Sequence, residues 1–243
     1  YLRITEEAAS PTGSLESVGE IIASDLAMTA KILQLVNSAY FGLRSDVSSP
    51  VQATRVLGLD AVRAIVVTVE LFSSARSDCA VPDMQALWQH SIEAGGLAKQ
   101  AARALGLDRK AADQALLAGM LHDVGKLVEI SEIQEGYARV KMLMSEQGAG
   151  VVEAETQVLG CTHADIGAYL LTLWGFPSPV VEAVAYHHHP RDSLDAEATP
   201  LTAVHLAEAL SHGTDHSGVV LDEAYLERVG ACADEQHWRT ELE

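Results

Sequence analysis

Apolar residues recur along the chain at spacings of three and four, with polar residues between them. This period predicts helices that each carry one apolar face. Ser14 is a residue type that begins helices, and Leu15, Val18, Ile21 and Ile22 follow it on one predicted face. No Asn-Gly or Asp-Gly hairpin turn flanked by alternating residues occurs. The pattern therefore predicts an all-α protein.

Capping residues, glycines and prolines divide the pattern into a series of predicted helices. Beyond the first, they cover residues 26–38, 50–57, 60–72, 83–105, 108–122, 125–130, 134–147, 151–159, 162–174, 178–188 and 199–210. Asp83 is expected to cap its helix, and Gly125 to allow a bend. The polar stretch SSARSDCAVPD at 73–83 is predicted to be a linker.

The composition narrows the classes of function. The chain has 243 residues, 48% of them hydrophobic, so a sizeable core can form. Its formal net charge of −18 argues against partners such as nucleic acid or an anionic membrane surface. Three scattered cysteines, no visible signal peptide and no membrane-length apolar run favour a cytoplasmic location. The first residue is not Met, and we expect the chain to be part of something longer.

The stretch LLAGMLHDVGKLVEI, residues 116–130, places polar groups inside an apolar run. Burying His122 and Asp123 costs free energy unless something pairs with them. Neighbours in a regular helix point about 100° apart, so both can serve one site only at a helix end. An imidazole beside a carboxylate suits a divalent ion. A hydrogen-bonded pair at a helix terminus is the alternative.

Further histidines have the chemistry to join this pair. His90 is predicted in mid-helix, and His163 at a helix start, where the dipole favours the neutral, metal-binding form. The run 187–189 closes a helix, where protonated imidazole is favoured and a solvated polar cap is the alternative. Glu208 follows His205 by three residues and is predicted on the same helix face.

Longer stretches resemble a known family. His90, the HDVGK segment and an acidic residue on a late helix are similar to the HD superfamily of metal-dependent phosphohydrolases. Residues 21–63, IIASDLAMTAKILQLVNSAYFGLRSDVSSPVQATRVLGLDAVR, resemble the first half of the HDOD domain, the HD-related output domain of bacterial signalling proteins. LWQHSIEAGGLAKQ, ALLAGMLHDVGKLVEI, THADIGAYLLTLWGFPSPVVEAVAYHHHP and LTAVHLAEAL resemble its second half in order. The resemblance covers residues 14 to about 210.

The resemblance implies a two-lobed helical bundle, with an N-terminal helical lobe at 1–78 and an HD-like helical lobe at 79–243. It also implies a regulatory output module, often non-catalytic, as in two-component regulation. Its expected partners are an upstream receiver or sensor domain and downstream signalling proteins, with a nucleotide as a further ligand. A metal-dependent phosphohydrolase acting on a nucleotide or cyclic dinucleotide is the main alternative. A scaffold whose histidines pair only with carboxylates is a third.

The resemblance also implies a set of site residues. The positions that match metal ligands of active HD enzymes are His90, His122, Asp123, His163, His187, His188 and Glu208. They imply one or two divalent ions, such as iron or manganese, with Asp123 as the shared ligand. Lys126 matches a lysine that faces a substrate phosphate. Glu208 stands where active enzymes carry Asp, and the GYP loop of HD-GYP enzymes is absent, which argues against hydrolysis of cyclic dinucleotides.

Overall fold

The computed structural model describes residues 7, 14–37, 47–58, 61–62, 65–66, 69, 81–211 and 220–242. Within these residues the regular structure is helical, which confirms the all-α prediction. The helices are α1 Leu15–Ala23, α2 Leu26–Val36, α3 Pro50–Leu57, α4 Val81–Ala104, α5 Arg109–Leu121, α6 Val124–Glu132, α7 Gln134–Gln147, α8 Val151–Leu159, α9 His163–Leu173, α10 Ser178–Tyr186, α11 Pro200–Leu210, α12 Glu223–Arg228 and α13 Glu235–Leu242. A 3₁₀ turn, Pro190–Asp192, lies between α10 and α11.

The chain divides into two compact units, Tyr1–Ser74 and Ala75–Glu243. In the first, α1 packs against α2 and α3. Gly19 lies so close to α3 that an added Cβ would be 2.6 Å from the Cα of Val51. The hydroxyl of Thr54 donates a 2.8 Å hydrogen bond to the carbonyl of Leu15. The boundary between residues 78 and 79 falls among residues that are not described and stays a prediction.

The second unit is built around α5 and α11, which are buried along most of their length. Helix α4 packs against both, and α10 packs against the same two helices. Helix α9 packs on α6 and α10. Alanine is frequent on these helices, and its small side chain lets their axes approach closely. The ends of α5 and α10 and the start of α9 thereby come together beside α4 and α11.

Two glycines set the distance between α4 and α5. An added Cβ on Gly119 would lie 2.8 Å from the backbone oxygen of Ala94, and one on Gly95 would lie 2.4 Å from Cγ of Met120. Any larger residue would push the helices apart. The glycines therefore bring His90, on α4, close to the end of α5.

Several predicted helices have the bounds seen in the structure, including Gln134–Gln147 and Val151–Leu159. Two expectations were wrong. Helix α4 begins at Val81, so Asp83 lies in its first turn and pairs with Lys141 at the surface instead of capping it. Gly125 lies inside α6 and makes no bend there. The predicted helix 60–72 and linker 73–83 lie largely outside the described residues.

No described helix combines the length and apolar character that crossing a membrane requires.

Candidate metal centre

The HD pair lies at a junction of two helices. His122 is the residue at which α5 ends, and Asp123 is the residue from which α6 starts. Both are at most 2% exposed. The chain leaves the regular helix at this point, which allows neighbouring side chains to face the same site, as the sequence required.

On one side of Asp123 lies what we call the acid-rich subsite: His90, His122, Glu208 and Oδ2 of Asp123. The Nε2 atoms of His90 and His122 are 3.1 Å apart. Oε2 of Glu208 lies 3.0 Å from the first and 3.1 Å from the second. Asp123 Oδ2 is 3.7 Å and 3.4 Å from the same two nitrogens. Two helices, α4 and α11, and the α5–α6 junction thus supply one cluster.

On the other side lies the histidine-rich subsite: His163, His187, His188 and Oδ1 of Asp123. Nε2 of His163 is 3.3 Å from Nε2 of His187 and 3.0 Å from Nε2 of His188. Asp123 Oδ1 lies 3.2 Å from Nε2 of His163 and 4.0 Å from that of His187. The two carboxylate oxygens of Asp123 therefore face different subsites.

Hydrogen bonds on the far side of the rings fix how they face the site. In three rings, Nδ1 lies 2.8 Å from an acceptor. The acceptor is the carbonyl of Gly119 for His122 and the carbonyl of Val184 for His187. For His163 it is the carboxylate of Glu155. These acceptors require Nδ1 to carry the hydrogen. Nε2 of each ring is thereby left to face the centre, which is the usual arrangement of metal-binding histidines.

In the acid-rich subsite, neighbouring charges together have a larger influence on the pKa values than burial has. Burial opposes a charged imidazole, but Asp123 and Glu208 outweigh it and raise the pKa of His122 to about 10. Burial also opposes ionisation of Glu208, yet His122 and His90 hold its pKa well below the ordinary value. Without a bound cation, this side therefore keeps a proton on His122 beside an ionised Glu208.

In the histidine-rich subsite, burial has more influence on the pKa values of His187 and His188. Burial and the neighbouring imidazoles hold the pKa of His187 well below its ordinary value, and lower that of His188 to about 3. The alternative of a solvated, protonated cap at the end of α10 does not hold for these two residues, because burial disfavours their charge. His163 differs from its expectation as well. Burial and Lys126 oppose its charge, but Asp123 and Glu155 raise its pKa despite the helix start.

The structure brings together every predicted ligand, and Lys126 lies beside them. Its ammonium donates a 2.9 Å hydrogen bond to Oδ2 of Asp123, and its side chain is 5% exposed. Although burial favours the neutral acid, His122 and Lys126 hold the pKa of Asp123 well below its ordinary value. The longer side chain of Glu208 still reaches both histidines of its subsite. His205 does not share that site, because its ring bonds to the backbone of His187 and Asp222.

Two buried acids behind the histidine-rich subsite were missed from the sequence. The carboxylate of Glu155 accepts hydrogen bonds from Nδ1 and from the backbone N–H of His163, at 2.8 Å and 2.9 Å. Glu129 is 0% exposed, and neither of its oxygens has a hydrogen-bond partner among the described residues. A signal existed, because Glu155 follows Val151 and Ala154 on an apolar helix face, and Asp123, Lys126 and Glu129 recur every three residues.

The residues present fit one or two divalent cations. In each subsite, one ligand atom from each of three residues lies within 4.8 Å of the others. Imidazole nitrogens 3.0–3.3 Å apart need a hydrogen or a cation between them. Oδ1 of Asp123 is buried and accepts no well-aligned hydrogen bond from the described residues. Nitrogen and carboxylate donors in this ratio suit ions such as zinc, iron or manganese.

Comparisons with known proteins agree with this architecture. The model of the HDOD domain family matches residues 1–190. An uncharacterised protein of Treponema pallidum is 28% identical over 193 residues, which is 77% of this chain and 36% of that protein. Ribonuclease Y of Thermus thermophilus is 32% identical over 147 residues, 60% of this chain and 20% of the enzyme. The chain thus spans only about a third or a fifth of these relatives.

Solved structures share the fold. An HDOD domain protein of Geobacter sulfurreducens has a TM-score of 0.75 at 23% identity, covering 99% of this chain and 86% of that one. A Shewanella amazonensis protein, provisionally named a phosphohydrolase, has a TM-score of 0.73 at 20% identity, with the same coverage. At such identities the likeness concerns the fold alone. The family match covers most of the sequence, and the chain therefore belongs to the HDOD domain family.

Proposed function

We propose that this HDOD protein is a metal-dependent phosphohydrolase that cleaves a small phosphodiester. One observation carries the proposal: the two oxygens of Asp123 face two separate clusters of inward-facing imidazole Nε2 atoms. Carboxylate-bridged pairs of divalent ions are a recurring device for in-line displacement at phosphorus. When bound, such ions lower the pKa of water to near neutral and stabilise charge on the phosphoryl oxygens.

The chain's own residues prepare the site for this reaction. Asp123 holds the two subsites a fixed distance apart, and Lys126 keeps that carboxylate ionised and oriented. The Lys126 ammonium also supplies positive charge near the position where a phosphoryl group would bind, which offsets the negative charge that develops there. Because the ligands are buried, bulk water is largely excluded and these charges act in a medium of low dielectric constant.

Two features favour a small phosphodiester as the substrate. Ribonuclease Y, by its name, acts on RNA, whose backbone is a phosphodiester, and it is similar to 60% of this chain. A net charge of −18 disfavours a long polyanion. A nucleotide or a short diester meets both conditions.

A second candidate function is a non-catalytic regulatory module that holds the ions for structure. The degree of burial favours it, since His122, His163 and His187 are 0% exposed and the side chain of His90 is 12% exposed. In this case the module would relay a signal from an upstream receiver or sensor domain to downstream proteins through protein contacts.

One experiment separates the two candidates. Tag-free protein loaded with manganese is assayed for metal content and for hydrolysis of bis(p-nitrophenyl) phosphate. The proposal expects two ions per chain and steady turnover, with both falling to background in Asp123→Ala. Asp83→Ala, which removes a surface carboxylate paired with Lys141, should change neither. Two bound ions without turnover would favour the regulatory module, and no bound ion would refute both.

A further inference from the structure

The turn that follows α10 carries His187 and His188 and is held from behind by the C-terminal part of the chain. Nδ1 of His205 donates a 3.1 Å hydrogen bond to the carbonyl of His187. Nε2 of the same ring accepts a 2.9 Å hydrogen bond from the backbone N–H of Asp222. One imidazole thus links a ligand's backbone to the residue that begins α12.

The side chain of Asp222 adds a second link. Its two oxygens each lie 2.6 Å from Nε of Arg191, in the 3₁₀ turn after the histidines. Oδ1 of Asp222 also accepts a 2.9 Å hydrogen bond from the backbone N–H of Tyr225, and Asp222 thereby caps α12. The hydroxyl group of Tyr225, a fully buried residue, lies 2.8 Å from that of Thr202 and anchors α12 on α11.

Arg228, at the end of α12, provides the third link. Its guanidinium donates to the carbonyls of Arg191, Ser193 and Pro190, at 3.1, 3.1 and 3.3 Å. A guanidinium presents several donors in a rigid plane, which suits one side chain to hold three carbonyls. These three residues form the turn that leads away from the histidines.

The links matter because of where the ligands sit. His187 is the residue at which α10 ends, and His188 lies beyond it. Residues past a helix end have no helical hydrogen-bond ladder to fix them. Metal affinity depends on outer contacts that orient the ligands. The HDOD match ends at residue 190, so Arg191, Asp222 and Arg228 lie outside it.

We propose that Asp222 and Arg228, which we call the C-terminal clamp, are positioning residues that hold His187 and His188 in place for a cation in the histidine-rich subsite. This inference rests on the proposed metal site and extends it. The acid-rich subsite takes its ligands from α4, α11 and the α5–α6 junction. The side-chain hydrogen bonds given above for Asp222 and Arg228 go to the turn after α10 and to α12 instead. Loss of the clamp should therefore weaken one subsite only.

The test isolates each subsite before the clamp is removed. His90→Ala should leave only the histidine-rich subsite able to bind Mn²⁺, and His163→Ala only the acid-rich one. Adding Arg228→Ala to the first variant should lower its Mn²⁺ affinity about tenfold in titration calorimetry. Adding it to the second should change the affinity less than twofold. Arg228 is exposed, so its truncation opens no cavity.

Two further variants sharpen the result. Asp222→Asn removes the ion pair with Arg191 but keeps a residue type that caps helices, and it should reproduce the selective loss. Arg239→Ala is the matched control, because it breaks a comparable ion pair with Glu235 on α13 and should leave both affinities unchanged.

The outcomes are distinct. Equal weakening of both subsites by Arg228→Ala, or of neither, overturns the clamp while leaving wild-type metal binding intact. Wild-type protein that binds no Mn²⁺ refutes the proposed function, and the clamp falls with it.

Discussion

The two subsites that share Asp123 place their second acid on opposite sides of the histidines. In the acid-rich subsite Glu208 faces Nε2 of two rings and competes for the same proton or cation. In the histidine-rich subsite Glu155 lies behind His163, at Nδ1, and leaves Nε2 facing the site. The first arrangement holds a proton on His122 when no cation is bound. The second leaves His187 and His188 neutral, because burial disfavours their charge.

This difference shows two ways to keep a buried cation site stable before the cation arrives. The acid-rich subsite holds a proton on His122 where a cation would bind, and an incoming ion must displace that proton. The other subsite disfavours charge on His187 and His188, which then depend on outer contacts for their orientation. The histidine-rich subsite is thus expected to be the more sensitive of the two to changes outside the ligand set.

Gly125→Ala should separate Asp123 from His163 of the histidine-rich subsite and have the largest effect. Its Cβ would lie 2.0 Å from the carbonyl oxygen of His163, so α9 would have to move away from Asp123. We expect a loss of about 3 kcal/mol in the free energy of unfolding, measured by urea denaturation.

Gly150→Ala is the control for that substitution. An added Cβ there meets nothing within 4 Å, and its φ is −66°, so the change should stay within about 0.5 kcal/mol. Equal stability of the two variants would contradict the close approach of α6 and α9.

Glu129→Gln should change how the free energy of unfolding depends on pH. Burial, followed by the charge of Glu155, raises the pKa of Glu129 to about 8 from an ordinary 4.5. The folded state thus binds the proton more tightly than the unfolded state, and the stability it contributes falls as pH rises from 4.5 towards 8. Between pH 5 and pH 8, metal-free Glu129→Gln should gain on the order of 2 kcal/mol relative to wild type.

Urea midpoints at the two pH values measure this gain. Glu132→Gln, an exposed position on the same helix, should show no such gain. A constant difference between Glu129→Gln and wild type at both pH values would mean that Glu129 is ionised in the folded protein throughout.

Glu155→Gln should weaken Mn²⁺ binding in the histidine-rich subsite alone, and this is the smallest of the expected effects. The amide can still accept a hydrogen bond from His163, but it no longer increases the basicity of the ring. We expect the Mn²⁺ affinity of the histidine-rich subsite, measured in His90→Ala, to fall about tenfold, or about 1.4 kcal/mol. Glu153→Gln, exposed on the same helix, should leave it unchanged, and a similar loss in the two variants would point to net charge as the cause.

The sequence by itself determined most of the described helices and named the candidate ligands. Residue spacing and capping residues act over one or two turns, so the bounds of α7 and α8 could be read directly. The HDVGK segment and the ordered motifs around it supplied the ligand residues through family resemblance. The helix end between His122 and Asp123 also followed from local geometry.

Only the tertiary structure decided how the ligands divide between two subsites and what charge each carries. The dipole rule favours a neutral His163 and protonated residues at the end of α10. Asp123 and Glu155 instead raise the pKa of His163 despite its burial, and burial lowers the pKa of His187 and His188. Glu129, Glu155 and the clamp escaped prediction for a related reason. Charge and hydrogen-bond partners depend on what packs nearby in space, and helices distant in sequence bring those groups together.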